Sequence, residues 1–523
     1  MASSLLGLII RFYTLLIDPT PRPGLHPIPG TQPLTIGAAV LPPAIYYIAL
    51  LLLAPPPPPA IDTIYVKTIR NVFALAAGIL FFRLPLAYHV PQSIGLTYQL
   101  GLVGLYGGCR VIDAFFISPY CFKHIPRRVQ YVHKPRVETP APEIIREWSD
   151  GGVKEPYSHQ ENRNHGSAPA GERRRSSISD NIGYVARRMS NSIPNVASDS
   201  LLAVQRTLSG PDPQPVLETA TTESGWPHSL RDRASWALEL ELSMRGVGFT
   251  WTTADVRHTR KTWLPTVGNR MHSILVYALP VLLSSWFVIS SAYVRYLATP
   301  AEVVGPDNDE RRSRELFDDA LPLPVQLLLT GALGAFLMAA FSLGHSLFAI
   351  ALSPLAPSPL AFFPPLYSTR IWDITSVRKF WSYGWHRLFA RLFLVYGVWP
   401  GEWIERKLTG KRNDEPADVG KVLGGFLSSA FVHSFSVRGV LGGDWGSAAG
   451  EARFFALNGL AVVLEGFVIR KVKNLRKRKG RNETMWYDGW IGRIWWLTVL
   501  LGSGRNFARG WVKSGLVREI ACQ

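Results

Sequence analysis

The run VQLLLTGALGAFLMAAFSLGHSLFAIAL, residues Val325–Leu352, contains no Asp, Glu, Lys or Arg. As a helix it is long enough to cross the hydrocarbon core of a bilayer, which takes about 20 apolar residues. Similar runs recur along the chain, so the sequence predicts an all-α fold, a polytopic transmembrane helical bundle of about eight spans. The runs lie at about residues 34–53, 72–90, 94–117, 273–297, 325–352, 419–441, 454–469 and 491–501. A further apolar piece at 388–400 is too short to span, and we interpret it as a re-entrant or interfacial helix.

A polar segment at residues 122–233 divides the chain. It is rich in Ser, Pro and Arg and has no sustained apolar period, so it cannot bury enough apolar surface to offset its ordering entropy. We expect a long, mostly disordered cytosolic loop there. The N-terminal anchor and the first transmembrane helices would occupy 1–121, with Met1–Asp18 as an interfacial or short anchoring helix. The helical core would occupy 234–523.

Composition and charge limit the class of protein. Hydrophobic residues make up 47% of the 523 residues and charged residues only 18%, and three cysteines are too few for a disulfide-stapled secreted domain. The formal net charge is +18, and the basic run at 470–481 predicts a cytosolic loop. Counting spans back from it places 122–270 and 367–391 on the cytosolic side and the acidic loop at 300–320 on the other. The charge is therefore read as orientation within a lipid bilayer, and no nucleic acid is expected as a partner.

His433 is the outstanding ionisable residue within an apolar run, GGFLSSAFVHSF at 424–435. Such residues are expensive inside a membrane and are functional candidates by default. The alternative is a histidine hydrogen-bonded to a backbone carbonyl or hydroxyl of a neighbouring helix, and position alone does not separate the two. His345 is in a similar setting, but we interpret it as a polar contact between helices because no other polar group converges on it in the sequence.

A second cluster follows a Pro-rich elbow and combines Trp, His and Arg: Arg378, Trp381, Trp385, His386 and Arg387, with Arg391 beyond. One interpretation is an amphipathic helix that lies at the membrane interface with snorkelling arginines. The other is the opening of a binding pocket, in which arginine would bind a nucleotide phosphate and tryptophan would stack on a flat ring of the ligand. Composition favours the first. No pattern of metal ligands argues for a metal site.

These pieces together resemble a known family. FPPLY at 363–367, SVRKFW at 376–381 and WHR at 385–387 resemble the signature segment of the wax synthase-like branch of the membrane-bound O-acyltransferase superfamily, and the run ending in His433 is similar to its intramembrane histidine helix. RGVG at 245–248 and ARGWVK at 508–513 are similar to flanking segments of fungal members. The resemblance covers roughly 245–515 and implies that the core at 234–523 is an acyltransferase.

The resemblance assigns roles to several residues. His433 matches the family's catalytic histidine and His386 its second polar position, while Arg378 and Arg387 would meet coenzyme A phosphates beside Trp381 and Trp385. A neutral imidazole suits general-base catalysis on an alcohol, and the oxyanion that forms needs a preorganised donor such as His386. Acyl-CoA, with acetyl-CoA preferred, would be a co-substrate, and no bound cofactor or metal is expected.

One departure concerns the group that orients His433. Many family members have an acidic residue directly after this histidine, and Ser434 stands there in this chain. Glu465, in the next span, is a substitute by hypothesis; its alternative role is a contact with a helix-terminal arginine such as Arg470.

The expected function is an acyl-CoA-dependent O-acyltransferase of the endoplasmic reticulum membrane. It would esterify a lipophilic alcohol, with acetylation of a terpenoid or other secondary metabolite preferred by analogy. The alternatives are a wax ester synthase that uses a long-chain alcohol and, from another class, a transporter or lipid-binding protein in which His433, His345 and Glu465 form a path.

Overall fold

The chain folds into an almost entirely helical bundle. The computed structural model describes residues 25–55, 62–122, 124–128, 130–133, 215–218, 226–227, 229–251, 267–298, 317–352, 363, 366–367, 371–412, 415–480 and 485–521. The helices are α1 (Ile36–Leu51), α2 (Ile64–Ala87), α3 (Ile94–Cys121), α4 (Leu230–Leu242), α5 (267–297), α6 (Leu323–Leu352), α7 (377–384), α8 (390–409), α9 (Asp418–Arg438), α10 (Trp445–Arg478), α11 (Asp488–Lys513) and α12 (Leu516–Ala521).

Two short strand pairs and several widened turns complete the described elements. Strand β1 (Gln32–Pro33) pairs in parallel with β2 (Tyr88–His89), and β3 (Gln130–His133) pairs antiparallel with β4 (Pro215–Glu218). A 3₁₀ turn occupies Ile371–Asp373. The π-helical turns lie at Asp113–Cys121 in α3, Ile274–Ala278 and Tyr293–Leu297 in α5, Phe380–Gly384 in α7 and Leu394–Val398 in α8.

All eight expected spans are helical, which confirms the all-α membrane fold. Five helices of the described chain are long and apolar enough to cross a membrane. They are Ile64–Ala87, Ile94–Cys121, Arg270–Leu297, Leu323–Leu352 and Trp445–Arg478. The apolar α1 is shorter, at 16 residues. Helices α9 and α11 have the length, with 21 and 26 residues, but contain more polar and charged positions.

The expected short helix at 388–400 is longer in the structure. The helical path runs through α8, from 390 to 409, because the widened turn Leu394–Val398 directly precedes Pro400. Proline has no N–H to donate, so a wider turn at this point accommodates it without ending the helix. The last part of α8 is charged and amphipathic, with Glu402 and Arg406 in an ion pair.

Within the polar segment 122–233, the described residues contain β3, β4 and the start of α4. Helix α4 begins at Leu230 rather than at Ala234, because Ser229 caps it by accepting a hydrogen bond from the Asp232 N–H at 3.1 Å. Most of the expected loop, the segment Met1–Asp18 and most of the acidic loop at 300–320 lie outside the described residues.

Helices α8 and α9 cross at very short distance through glycines. A Cβ placed on Gly424 would lie against the carbonyl oxygen of Gly397 and 2.9 Å from its carbonyl carbon, and Gly401 meets Gly420 in the same way. Small residues at such crossings let two backbones approach, which is how helices gain packing in a bilayer. The crossing fixes the position of α9, the helix that carries His433.

Helix α3 lies against α9 by a similar close approach. A Cβ on Gly101 would lie 2.7 Å from the Cα of Ser436, so only glycine fits there. At the start of α3, Glu519 of α12 accepts hydrogen bonds from the Ser93 hydroxyl at 2.6 Å and from the Ile94 and Gly95 N–H groups at 2.7 and 3.1 Å. A carboxylate at a helix N-terminus satisfies free N–H groups and interacts favourably with the helix dipole. These contacts fix α3 beside α9.

Candidate active site

The imidazole of His433 lies within a polar cluster that joins three helices. Its Nδ1 is 2.8 Å from the hydroxyl of Tyr98 on α3 and 3.7 Å from Oε2 of Glu451 on α10. The Tyr98 hydroxyl also donates to that Oε2 at 3.2 Å, and the indole N–H of Trp511 on α11 donates to Oε1 at 3.1 Å. Glu451 is only 1% exposed. The carboxylate is therefore enclosed and held by two donors.

The single proton of the tyrosine hydroxyl decides the tautomer of His433. With Glu451 ionised, Tyr98 donates its proton to the carboxylate, and its oxygen then accepts from Nδ1–H of His433. The other ring nitrogen, Nε2, then carries the lone pair. Among the residues that the structure describes, Nε2 has no hydrogen-bond partner, so it is the nitrogen available to a substrate hydroxyl.

Aromatic rings surround this cluster. The Phe455 ring stacks on the His433 imidazole with centroids 4.5 Å apart, and Phe507 meets it edge-on at 6.4 Å. Trp511 packs edge-on against Tyr98 at 6.0 Å. Apolar walls exclude water and strengthen electrostatic interactions inside the site.

His386 is linked to the surroundings of His433 through aromatic rings. Its ring lies 5.2 Å from that of Trp385, and Trp385 packs against Trp381, which in turn meets Phe455. The His386 ring contacts Phe341 of α6, with centroids 4.8 Å apart, and lies edge-on to Phe389. Its Nδ1 is buried and has no hydrogen-bond partner within the described part of the chain. This nitrogen is available to a ligand.

The two tryptophans of the signature segment lie in an aromatic cluster rather than on an open surface. Trp381 packs against Trp385 at 6.0 Å and against Phe455, the residue stacked on His433, at 5.6 Å. Its indole N–H donates to the Asn458 side-chain oxygen at 3.1 Å, and Asn458 in turn donates to Ser503 at 2.9 Å. Trp381 thus forms one wall of the site and is held in place by α10 and α11.

The arginines of the signature segment occupy different environments. Arg378 is exposed, whereas Arg387 is partly buried. Arg391 is not a free cation at the membrane surface, because its Nε lies 2.6 Å from Oδ2 of Asp113, and its guanidinium stacks over Trp251 at 4.3 Å. A satisfied pair of this kind serves packing.

Neither residue expected to orient His433 reaches it. The Ser434 hydroxyl donates to the backbone carbonyl of Ala448 at 3.2 Å. Glu465 accepts a hydrogen bond from the Val377 N–H at 2.8 Å, so it caps α7 and binds neither His433 nor Arg470. The groups that lie beside Nδ1 of His433 are Tyr98 and Glu451, and the sequence analysis identified neither. Glu451 precedes the expected span at 454–469, but α10 begins at Trp445 and includes it.

The described residues contain no group of three or more His, Cys, Asp and Glu side chains that could hold a metal ion.

Comparison with known proteins gives one family and three relatives. Residues 363–457, an interval that contains His386, His433 and Glu451, match the membrane bound O-acyl transferase family. The acetyltransferase ple2 of Rhodocybe pseudopiperita is 26% identical over 304 residues, which is 55% of this chain and 72% of that protein. The acetyltransferase eriL of Hericium erinaceus is 23% identical over 45% of this chain and 58% of its own length. The O-mevalon transferase macI of Penicillium terrestre is 24% identical over 48% and 57%, respectively.

The matches thus span less than two thirds of the length of two of these relatives. No solved structure matches the chain. Over residues 363–457 the chain is therefore similar to the membrane-bound O-acyltransferases, and this match and the three relatives support an acyltransferase with a multi-pass membrane fold.

Proposed function

We propose that the protein transfers an acetyl group from acetyl-CoA to the hydroxyl of a lipophilic secondary metabolite such as a terpenoid, with His433 as the general base. The observation that carries this proposal is the Tyr98–Glu451 contact, which leaves Nε2 of His433 unprotonated. The names of two relatives, both acetyltransferases of fungi, support the acetyl group. The signature segment at 363–387 supports a place in the wax synthase-like branch and in the endoplasmic reticulum membrane.

The first step is attack of the acceptor hydroxyl on the thioester carbonyl. Nε2 of His433 takes the hydroxyl proton as the C–O bond forms, which makes the oxygen nucleophilic. The imidazolium that results lies 3.7 Å from the Glu451 carboxylate, with the Tyr98 hydroxyl between them. Glu451 therefore stabilises the positive charge at the moment it develops.

The second step is collapse of the tetrahedral intermediate. The C–S bond breaks, the proton on His433 goes to the departing thiolate, and the products are the ester and free coenzyme A. Before collapse the carbonyl oxygen carries a negative charge, for which His386 is the candidate donor. Its Nδ1, buried and without a partner among the described residues, would donate a hydrogen bond to this oxygen.

The remaining predicted residues would bind the acyl donor. Arg378 is exposed on the expected cytosolic side and would meet a coenzyme A phosphate, together with Arg387. Trp381 and Trp385 would form the wall against which the acyl and pantetheine groups lie. The acceptor would approach from the bilayer.

The test is acetyl transfer in isolated membranes. Microsomes that contain the protein are supplied with labelled acetyl-CoA and a panel of terpenoid and long-chain alcohols, and labelled ester is measured. His433→Ala should abolish ester formation while the protein still inserts and accumulates. His272→Ala is the matched control, because His272 is exposed and packs only against Tyr277 in the described chain. Wild-type turnover by His433→Ala would disprove the assignment.

A further inference from the structure

Arg270, at the start of α5, is a buried cation with no counter-charge among the described residues. It is only 4% exposed. Within the described residues its sole hydrogen bond runs from Nη1 to the Ser346 hydroxyl of α6, at 3.4 Å, and Nε and Nη2 are buried without an acceptor. Burying a charge without a counter-charge is costly. A buried guanidinium in this state suits a ligand that brings the missing negative charge.

The two unpartnered nitrogens share one edge of the guanidinium plane. Nε–H and the outer N–H of Nη2 point in parallel, which is the geometry that binds two oxygens of one phosphate or carboxylate. Nη1, on the other side, is the nitrogen that Ser346 holds. The orientation of the free edge is therefore fixed by α6.

The surroundings of Arg270 contain no counter-charge among the described residues. Ser346 is preceded by His345, whose ring packs edge-on against Phe363 with centroids 5.7 Å apart. No acidic side chain of the described chain forms an ion pair with Arg270. Arg270 is therefore a buried cation without a counter-charge among the described residues.

The surroundings of Arg270 connect to the candidate active site along α6. Phe341, which contacts the His386 ring at 4.8 Å, lies one helical turn before His345. Arg270 follows directly the loop expected on the cytosolic side, where a water-soluble polyanion would enter. Ser346, which binds Arg270, therefore lies about one and a half helical turns along α6 from the residue that contacts His386.

We propose that Arg270, positioned by Ser346, binds a phosphate group of the coenzyme A donor through its Nε–Nη2 edge. This proposal rests on the proposed acyl-CoA-dependent function. A carboxylate on the acceptor has the same chemistry, and the experiment separates the two sources. The expected cytosolic position of Arg270, next to the loop at 122–270, favours the donor.

The test compares Arg270→Gln, Arg270→Lys and the matched control Arg295→Gln, an exposed arginine near the other end of α5 that stacks on Tyr296. Donor KM is measured with acetyl-CoA and with acetyl-pantetheine, which lacks the phosphates. Arg270→Gln should raise the KM for acetyl-CoA about 10- to 100-fold, the range expected for a lost charged hydrogen-bond pair, with little change for acetyl-pantetheine. Arg270→Lys should restore only part of the loss because lysine has no bidentate edge.

Three outcomes overturn the proposal: an unchanged KM for acetyl-CoA, an equal rise for both donors, or a rise for the acceptor alone, which would assign the site to a carboxylate. Binding of free coenzyme A to purified wild-type, Arg270→Lys and Arg295→Gln proteins provides a readout that needs no turnover. If no acceptor is acetylated, the proposed function fails. The anion site would still be supported if Arg270→Lys bound free coenzyme A more weakly than the wild type and Arg295→Gln did not. Equal binding by all three would refute it.

Discussion

Replacing Glu451 by glutamine tests the arrangement around His433. Glutamine keeps the size and can still accept from Trp511, so the change removes mainly the negative charge. At the 3.7 Å between Nδ1 and Oε2, an effective dielectric constant of about 20 gives roughly 4 kcal/mol between full charges. With the proton about half transferred in the transition state, about 2 kcal/mol is lost, so kcat should fall roughly 30-fold.

The assay is initial-rate ester formation in membranes, with the amount of protein measured in each sample. Glu465→Gln is the matched control on the same helix, because Glu465 caps α7 and has no contact with His433. It should lower kcat far less than Glu451→Gln. Equal rates for Glu451→Gln and the wild type, or a larger loss for Glu465→Gln, would refute the role of Glu451.

Three further changes have defined outcomes. Tyr98→Phe removes the hydroxyl between the His433 imidazole and the Glu451 carboxylate, so kcat should fall about tenfold at unchanged donor KM. An unchanged kcat would contradict the role of this hydroxyl. Gly424→Ala should destabilise the fold by about 1–3 kcal/mol through overpacking, whereas Gly334→Ala, where a Cβ meets nothing within 4 Å, should not; thermal unfolding in detergent measures both. Hydrogen bonds from the side chain and N–H of Ser447 lower the pKa of Asp444 from 3.8 to about 2. The cap that Asp444 forms on α10 is then fully present above pH 4 and is lost as the pH falls towards 2. Amide hydrogen exchange at the start of α10, corrected for the intrinsic exchange rates, should therefore become faster over this range. Constant corrected exchange would contradict the prediction.

Much of the fold follows from the sequence because apolar length alone marks a membrane helix. The apolar runs located eight of the twelve helices in the described part of the chain, and the apolar setting of His433 made it conspicuous. The residues at which helices end were harder to predict. Helix α10, for example, continues beyond its apolar run into the basic run and ends at Arg478. A charged helix end beyond the bilayer carries no hydrophobic signal.

The partners of His433 could not be predicted, for two physical reasons. Successive residues of a helix point about 100° apart, so Ser434 cannot share the direction of the His433 ring, even though it is next in sequence. The true partners come from other helices: Tyr98 is 335 residues away along the chain and has no unusual sequence context. Arg270 gave no signal either, because only the packing of α5 on α6 shows that it is buried.

The contact between Glu519 and the start of α3 has a consequence for biosynthesis. The Ser93 hydroxyl and the Glu519 carboxylate are 426 positions apart, so the ribosome must complete nearly all of the described chain before α3 receives this cap. Contacts of such separation form late, since the chain must first lose the entropy of the closed loop. A nascent chain that stops short of Glu519 should therefore insert its helices and still lack a correctly placed Tyr98. Catalytic competence would then appear only after residue 519 has been synthesised.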